Sequence, residues 1–149
     1  SIDRDGGIRA LKTLVRDVKQ RLSDNRPVII FPEGTRTQPG VQQPYHPGIS
    51  ALYLQCDAPV IPVALNSGLF WGRRSYRKEA GRIVIEFLPA ISPGMKRKPF
   101  MEALERAIED ASLRLAEEGI ERYPHTQSAW AGGREDDTGA THSAERTVD

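Results

Sequence analysis

The sequence has 149 residues, a formal net charge of +1 and a hydrophobic content of 38%, which fits a single globular domain. Cys56 is the only cysteine, so no disulfide can form within the chain, and no apolar run approaches the roughly 20 residues that a membrane-spanning helix needs. A nearly neutral chain without a recognised nucleic-acid motif argues against a nucleic-acid partner. No group of histidine, cysteine and carboxylate side chains has metal-ligand spacing, so we expect neither a metal ion nor a cofactor.

The first predicted element is an amphipathic helix from about Gly7 to Ser23. A turn follows by composition, and the apolar run Val28–Phe31 is predicted to be a buried strand. The helix prediction depends on apolar residues that recur at steps of three and four, namely Ile8, Leu11, Val15, Val18 and Leu22.

The second half of the domain is predicted to hold a short helix, two strands and a long closing helix. The short helix covers Ile49–Gln55, and the strands cover Val60–Leu65 and Arg82–Leu88. A proline inside the first of these strands, Pro62, removes a ladder donor and favours an edge position or a bulge. The closing helix has Pro99 near its start and Gly119 past its end.

These elements predict an α/β fold in which amphipathic helices flank a mixed sheet. The sequence opens on Ser1 without a leader, and we expect it to be an N-terminally incomplete part of a longer protein. The strands that pair with these would lie upstream, which predicts an exposed apolar surface. Residues 1–123 form the C-terminal part of a single domain in this interpretation, and the Gly-, Thr-, Ser- and acid-rich composition predicts a disordered tail over 124–149.

The segment Phe31–Arg36 places a carboxylate and a guanidinium just after a predicted strand. Ligands of open α/β sheets bind outside the carboxyl ends of strands. In isolation the segment could equally be a structural turn in which Glu33 and Arg36 pair with each other. A second acidic and basic pair, Asp3-Arg4, favours a binding site, because two guanidinium groups suit a phosphate monoester.

Three segments resemble, in order and spacing, the second, third and fourth conserved blocks of the glycerolipid acyltransferases. They are Ile2-Asp3-Arg4, Phe31-Pro32-Glu33-Gly34-Thr35-Arg36 and Val60-Ile61-Pro62-Val63-Ala64. The similarity is greatest to the bacterial 1-acyl-glycerol-3-phosphate acyltransferases and covers roughly residues 1–119. The resemblance implies that Arg4 and Arg36 hold the acceptor's phosphate, that Glu33 and Gly34 shape the acceptor site, and that Thr35 and the Pro62 strand line the site or the acyl path. With Phe31 and Pro32, these are the candidate substrate-binding residues.

The family's catalytic histidine has no counterpart in this sequence. The resemblance implies an Asn-His-x4-Asp block upstream of Asp3-Arg4, in which histidine acts as general base and aspartate orients it. The residues five positions after His46, His125 and His142 are Ala51, Trp130 and Thr147. We therefore expect no catalytic residue in this chain and an inactive isolated fragment, with His46 a polar group of its loop or of the acceptor site.

The resemblance implies transfer of a fatty acyl group from acyl-CoA or acyl-carrier protein to the free hydroxyl of a lysophosphatidate-like acceptor, in phospholipid synthesis. The implied location is the cytoplasmic face of the inner (plasma) membrane, peripheral or anchored through missing segments. The alternative is a non-catalytic module that binds the phosphate of a phospholipid.

A basic and aromatic run also admits two interpretations. Leu69–Lys78 sets large apolar side chains beside Arg73, Arg74, Arg77 and Lys78. It is either a membrane-surface patch, with rings at the headgroup level and cations on anionic lipid, or a segment whose rings pack into the core.

Overall fold

The computed structural model of the chain describes residues 4–72 and 76–130, apart from the side chains of residues 4–6 and 8. The described part is mostly helical, with one small sheet, so the α/β prediction holds in part. In chain order, the elements are helix α1 (Arg4–Ser23), helix α2 (Gly48–Cys56), strand β1 (Val63–Leu65), helix α3 (Ser67–Phe70), strand β2 (Ile85–Phe87), helix α4 (Arg97–Arg122) and a 3₁₀ helix (Pro124–Ala129).

Helix α1 lies against α2 through the apolar face that its periodicity predicts. Val15 and Val18 are buried and form a cluster with Leu52 of α2. The helix ends after Ser23 because Asn25 adopts a left-handed conformation, with φ of 55°, which asparagine tolerates better than most residues.

The largest core cluster joins α2 to α4. The rings of Tyr53 and Phe100 stack with centroids 3.7 Å apart, and Tyr45, Ile49 and Leu104 complete the cluster. The Tyr53 hydroxyl donates to the Ser92 carbonyl at 2.6 Å and accepts from the Met95 N–H at 3.0 Å. Its buried polar atom is thereby satisfied.

Strands β1 and β2 are antiparallel, and Ala64 faces Glu86 across the pair. Side chains alternate between the two faces of a sheet. One face, with Ala64 fully buried, packs on Ala111 and Leu115 of α4. The opposite face, which we call the open face, is 40–74% exposed at five apolar positions. They are Ile61, Leu65, Ile83, Ile85 and Phe87.

The predicted buried strand Val28–Phe31 is wrong. The segment has no regular structure, and Ile29 and Phe31 are 82% and 72% exposed. Its composition favours a strand, but a strand also needs a partner, and the described residues 4–72 and 76–130 pair none with it. The predicted mixed sheet is accordingly a two-stranded antiparallel one in this part of the chain.

The two other predicted strands are present but shorter. Val60 forms an isolated bridge with Ile91, and the ladder with β2 begins only at Val63. The interruption falls at Pro62, which is fully buried and has no N–H to donate.

The prediction that Gly119 lies past the end of the closing helix is wrong. It is buried inside α4, which continues to Arg122. A Cβ atom at this position would lie 2.7 Å from Cδ1 of Leu69, itself 1% exposed on α3. Glycine is therefore needed here for close packing of two helices and not for chain reversal.

The first residues of the predicted tail form a 3₁₀ helix, Pro124–Ala129. The 3₁₀ helix packs on α3 and α4, and the hydroxyl of its fully buried Thr126 donates to the Tyr123 carbonyl at 2.8 Å. Residues 131–149, which include His142, lie outside the described residues. The division into a domain over 1–123 and a disordered tail over 124–149 stays a prediction.

Candidate functional site

Phe31–Arg36 forms a tight turn whose shape depends on a glycine. The Gly34 N–H donates to the Phe31 carbonyl at 3.1 Å, and Gly34 has φ of +66°. No heavy atom lies within 4 Å of a Cβ built there, so the left-handed backbone, and not the space around it, favours glycine. The turn leaves Thr35 and Arg36 exposed.

The turn is attached to the start of α2 through His46. The His46 N–H donates to the Pro32 carbonyl at 2.8 Å, and its Nδ1 accepts from the Gly48 N–H at 3.1 Å, in the first turn of α2. In this arrangement His46 is a structural residue that connects the loop to the helix.

Glu33 and Arg36 do not pair with each other. No hydrogen bond or ion pair of the Arg36 side chain is found in the part of the chain that the structure describes. The structural alternative for this segment, an internal ion pair, is therefore not what the fold contains. The Arg36 guanidinium is left accessible to an anion.

The Glu33 side chain is half-buried. Its Oε2 and the Thr37 Oγ1 are buried and have no hydrogen-bond partner within residues 4–72 and 76–130. Burial raises the pKa of Glu33, and the negative charge of Glu109 raises it further. Buried polar atoms without partners are uncommon, and both of these lie in or directly after the Phe31–Arg36 turn.

Of the two remaining candidates, Arg4 and Pro62, the structure describes the side chain of Pro62 alone. Arg4 is the first residue of α1, but its side chain lies outside the described residues, so its distance from Arg36 is not defined. Pro62 is fully buried and accepts a hydrogen bond from the Leu88 N–H at 2.9 Å through its carbonyl. It therefore supports the sheet from within the core.

Sequence reasoning missed Tyr45 and Glu109. The buried Tyr45 donates its hydroxyl proton to Oε1 of Glu109 at 2.8 Å. Burial in the first place, and then the bond to Glu109, raises the pKa of Tyr45 far above its usual range, so its hydroxyl stays a donor. A feature that could have indicated Glu109 is its position next to Ile108, on the half-buried side of α4.

The basic and aromatic run divides between its two interpretations. Leu69 and Phe70 are buried, as the core interpretation requires, whereas Trp71 and Tyr76 are exposed. The Lys78 Nζ lies 4.6 Å from the centroid of the Trp71 ring. Arg73 and Arg74 lie outside the described residues. Separately, no helix within the described ranges is long and apolar enough to span a membrane.

Residues 1–66 match the acyltransferase family, to which the chain belongs. The match includes the whole Phe31–Arg36 turn, its His46 attachment and Pro62.

Relatives with assigned names point to one group within the family. A 1-acyl-sn-glycerol-3-phosphate acyltransferase of Pseudomonas aeruginosa is 33% identical over 118 residues, which are 78% of this chain and 46% of that protein. The enzyme of the same name from Limnanthes douglasii is 32% identical over 61% of this chain and 33% of its own length. The alpha form from Ovis aries is 29% identical over 64% and 34%. The chain thus spans less than half the length of each of these relatives, and no solved structure matches it significantly.

Proposed function

We propose that this chain supplies the acceptor-phosphate site of a 1-acylglycerol-3-phosphate acyltransferase. The reaction moves a fatty acyl group from the thioester of acyl-CoA or acyl-carrier protein to the free hydroxyl of a lysophosphatidate-like acceptor. The observation that carries this proposal is the exposed Arg36 guanidinium, which has no acidic partner among residues 4–72 and 76–130, on a glycine-dependent turn inside the family-matched region. Guanidinium binds phosphate oxygens bidentately and stays charged at any physiological pH.

Within this proposal, Arg36 and Arg4 bind the phosphate. Phe31, Pro32, Glu33, Gly34 and Thr35 form the wall of the acceptor site, and Pro62 supports it. The general base is a histidine of an Asn-His-x4-Asp block contributed by another part of the protein. His46 does not fit that role, because its Nδ1 is already bonded to the Gly48 N–H and no aspartate lies five positions on.

The same proposal accounts for the uncovered apolar surface. Residues 1–123 are part of a larger acyltransferase domain, and the rest of that domain covers the open face. The full protein acts at the cytoplasmic face of the membrane, where exposed Trp71 and Tyr76 beside Lys78 suit a headgroup layer. The relatives' greater length supports this arrangement.

The test of the phosphate site is Arg36→Ala in the full-length enzyme. Loss of charge-assisted hydrogen bonds worth about 1.5–3 kcal/mol predicts a rise of about 10- to 100-fold in the KM for lysophosphatidate. The matched control is Arg16→Ala, because Arg16 is an exposed arginine of α1 paired only locally with Asp17. A KM and a kcat/KM that both stay at their wild-type values would exclude Arg36 as the phosphate ligand.

A second candidate is a phosphate-binding module without activity, favoured by the absence of a histidine with an aspartate five positions on. Assaying this chain alone separates binding from catalysis. We expect it to bind lysophosphatidate in an Arg36-dependent way without turnover. Acyl transfer at the rate of an intact relative would refute the assignment of the base to another segment.

A further inference from the structure

Helix α4 lies outside the family-matched residues 1–66, yet it is connected to the Phe31–Arg36 turn. The Tyr45 ring is packed in the cluster that holds Phe100 and Leu104 of α4, and its hydroxyl donates to Oε1 of Glu109 at 2.8 Å. The next residue, His46, donates its N–H to the Pro32 carbonyl at 2.8 Å. Glu109 of α4 is thus linked to Pro32, the residue before Glu33, by two hydrogen bonds and the peptide bond between Tyr45 and His46.

Glu33 and Tyr45 lie near acidic side chains of α4, on which Arg106 also lines the same groove as Glu105 and Glu109. Glu109 of α4 acts on both, Tyr45 is itself uncharged, and Glu105 of α4 faces Tyr45. No cation is paired with Glu33 within the described residues, and its Oε2 is buried without a partner. A buried carboxylate in such surroundings is unfavourable, so the protonated form is stabilised. Consistent with this, burial and then Glu109 raise the pKa of Glu33.

We propose that Tyr45 and Glu109 are positioning residues of the acceptor site, which fix the turn on α4 and place the charge of Glu109 where it disfavours ionisation of Glu33. An ionised Glu33, three residues from Arg36, would lower the positive potential that the phosphate meets. Any shift toward protonated Glu33 therefore strengthens the attraction of Arg36 for the anion. The consequence for the acceptor rests on the proposed function, whereas the effect of Glu109 on Glu33 does not.

The sign of the pH dependence follows from the raised pKa. The folded state holds the Glu33 proton more tightly than the unfolded state does, so Glu33 stabilises the fold at low pH. This contribution is lost as pH rises through the pKa of Glu33 in the folded protein. Glu33→Gln is therefore expected to be more stable than the wild type at neutral pH and to show a smaller fall in stability between acidic and neutral pH.

The direct experiment is a 13C NMR titration of the glutamate carboxyls in this 149-residue chain, with the Glu33 resonance assigned by its loss in Glu33→Gln. We expect a midpoint above the ordinary value of 4.5 that falls in Glu109→Gln. Glu102→Gln is the matched control, because Glu102 is an exposed residue of α4 paired with Lys98 at 3.7 Å, and it should leave the midpoint unchanged. An ordinary Glu33 midpoint, or one that Glu109→Gln does not move, would overturn the proposal.

The functional readout is the KM for lysophosphatidate in the full-length enzyme. Glu109→Gln should raise this KM at pH values where it newly ionises Glu33, with little change in kcat. In a Glu33→Gln background, where this side chain is neutral at every pH, Glu109→Gln should cause no further rise in KM. A merely structural role for Glu109 predicts the same rise in both backgrounds, and an equal rise contradicts the proposal. If Arg36→Ala leaves KM unchanged, the acceptor assignment fails, while the titration still decides the effect of Glu109 on Glu33.

Discussion

Both faces of the β1–β2 sheet carry apolar side chains, but the two faces have opposite environments. On one face, Ala64 packs without solvent exposure against Ala111 and Leu115 of α4. On the other, Phe87 and Ile85 are 74% and 60% exposed. An antiparallel sheet with one wet face normally has polar side chains there. The open face therefore has the apolar composition of a surface that another part of a protein covers. Composition alone does not show which of the two faces α4 covers.

The largest loss of stability is expected when a side chain of α4 that packs on the covered face is shortened. Leu115→Ala removes a side chain that is 3% exposed, leaves a cavity against Ala64, and is expected to cost about 2–5 kcal/mol. Chemical denaturation of the chain measures this loss. A loss in the free energy of unfolding below about 1 kcal/mol would mean that packing of α4 does not stabilise this face.

A buried amide provides an intermediate effect at the edge of the covered face. Asn66, 6% exposed, accepts from the Val84 N–H through Oδ1 at 2.8 Å. Asn66→Ala leaves that N–H without its partner and should cost about 1–3 kcal/mol. Gln55→Ala, a change at an exposed position of α2, is the control and should have little effect. Equal losses for both would show that the Asn66 bond contributes nothing specific.

The smallest effect is expected on the open face. Phe87→Thr keeps strand propensity and removes an exposed ring, so stability should change by no more than about 0.5 kcal/mol, while binding of an apolar dye decreases. If the rest of the domain covers this face, the same change in the longer protein will destabilise it clearly. A large loss in the 149-residue chain would instead show that the ring is already packed.

The long helices were the most predictable elements of the fold. Leu11, Val15 and Val18 recur with the helical period, and α1 and α4 follow from such patterns because most of their hydrogen bonds are local. Strand Val28–Phe31 was predicted by the same kind of reasoning and does not form, because a strand's hydrogen bonds depend on a neighbour that the pattern does not specify. Gly119 shows a related limit, since glycine composition does not distinguish a helix end from close packing against Leu69.

The residues of the candidate site also fall into those that the sequence indicated and those that only the structure revealed. The Phe31–Arg36 segment was identified from residue order and from its resemblance to a family motif, but residue order left open whether Glu33 and Arg36 pair with each other. Tyr45 and Glu109 were not identified, because 64 residues separate the two partners of their hydrogen bond.

The sequence by itself therefore determined the family and the long helices, because motifs and helical periodicity depend on residues that are near each other in the chain. Tertiary structure decided which apolar face is buried, that Arg36 lacks an acidic partner in the described residues, and that Glu33 lies in an acidic environment near α4. Burial and electrostatic environment depend on which distant groups come within a few ångströms of each other.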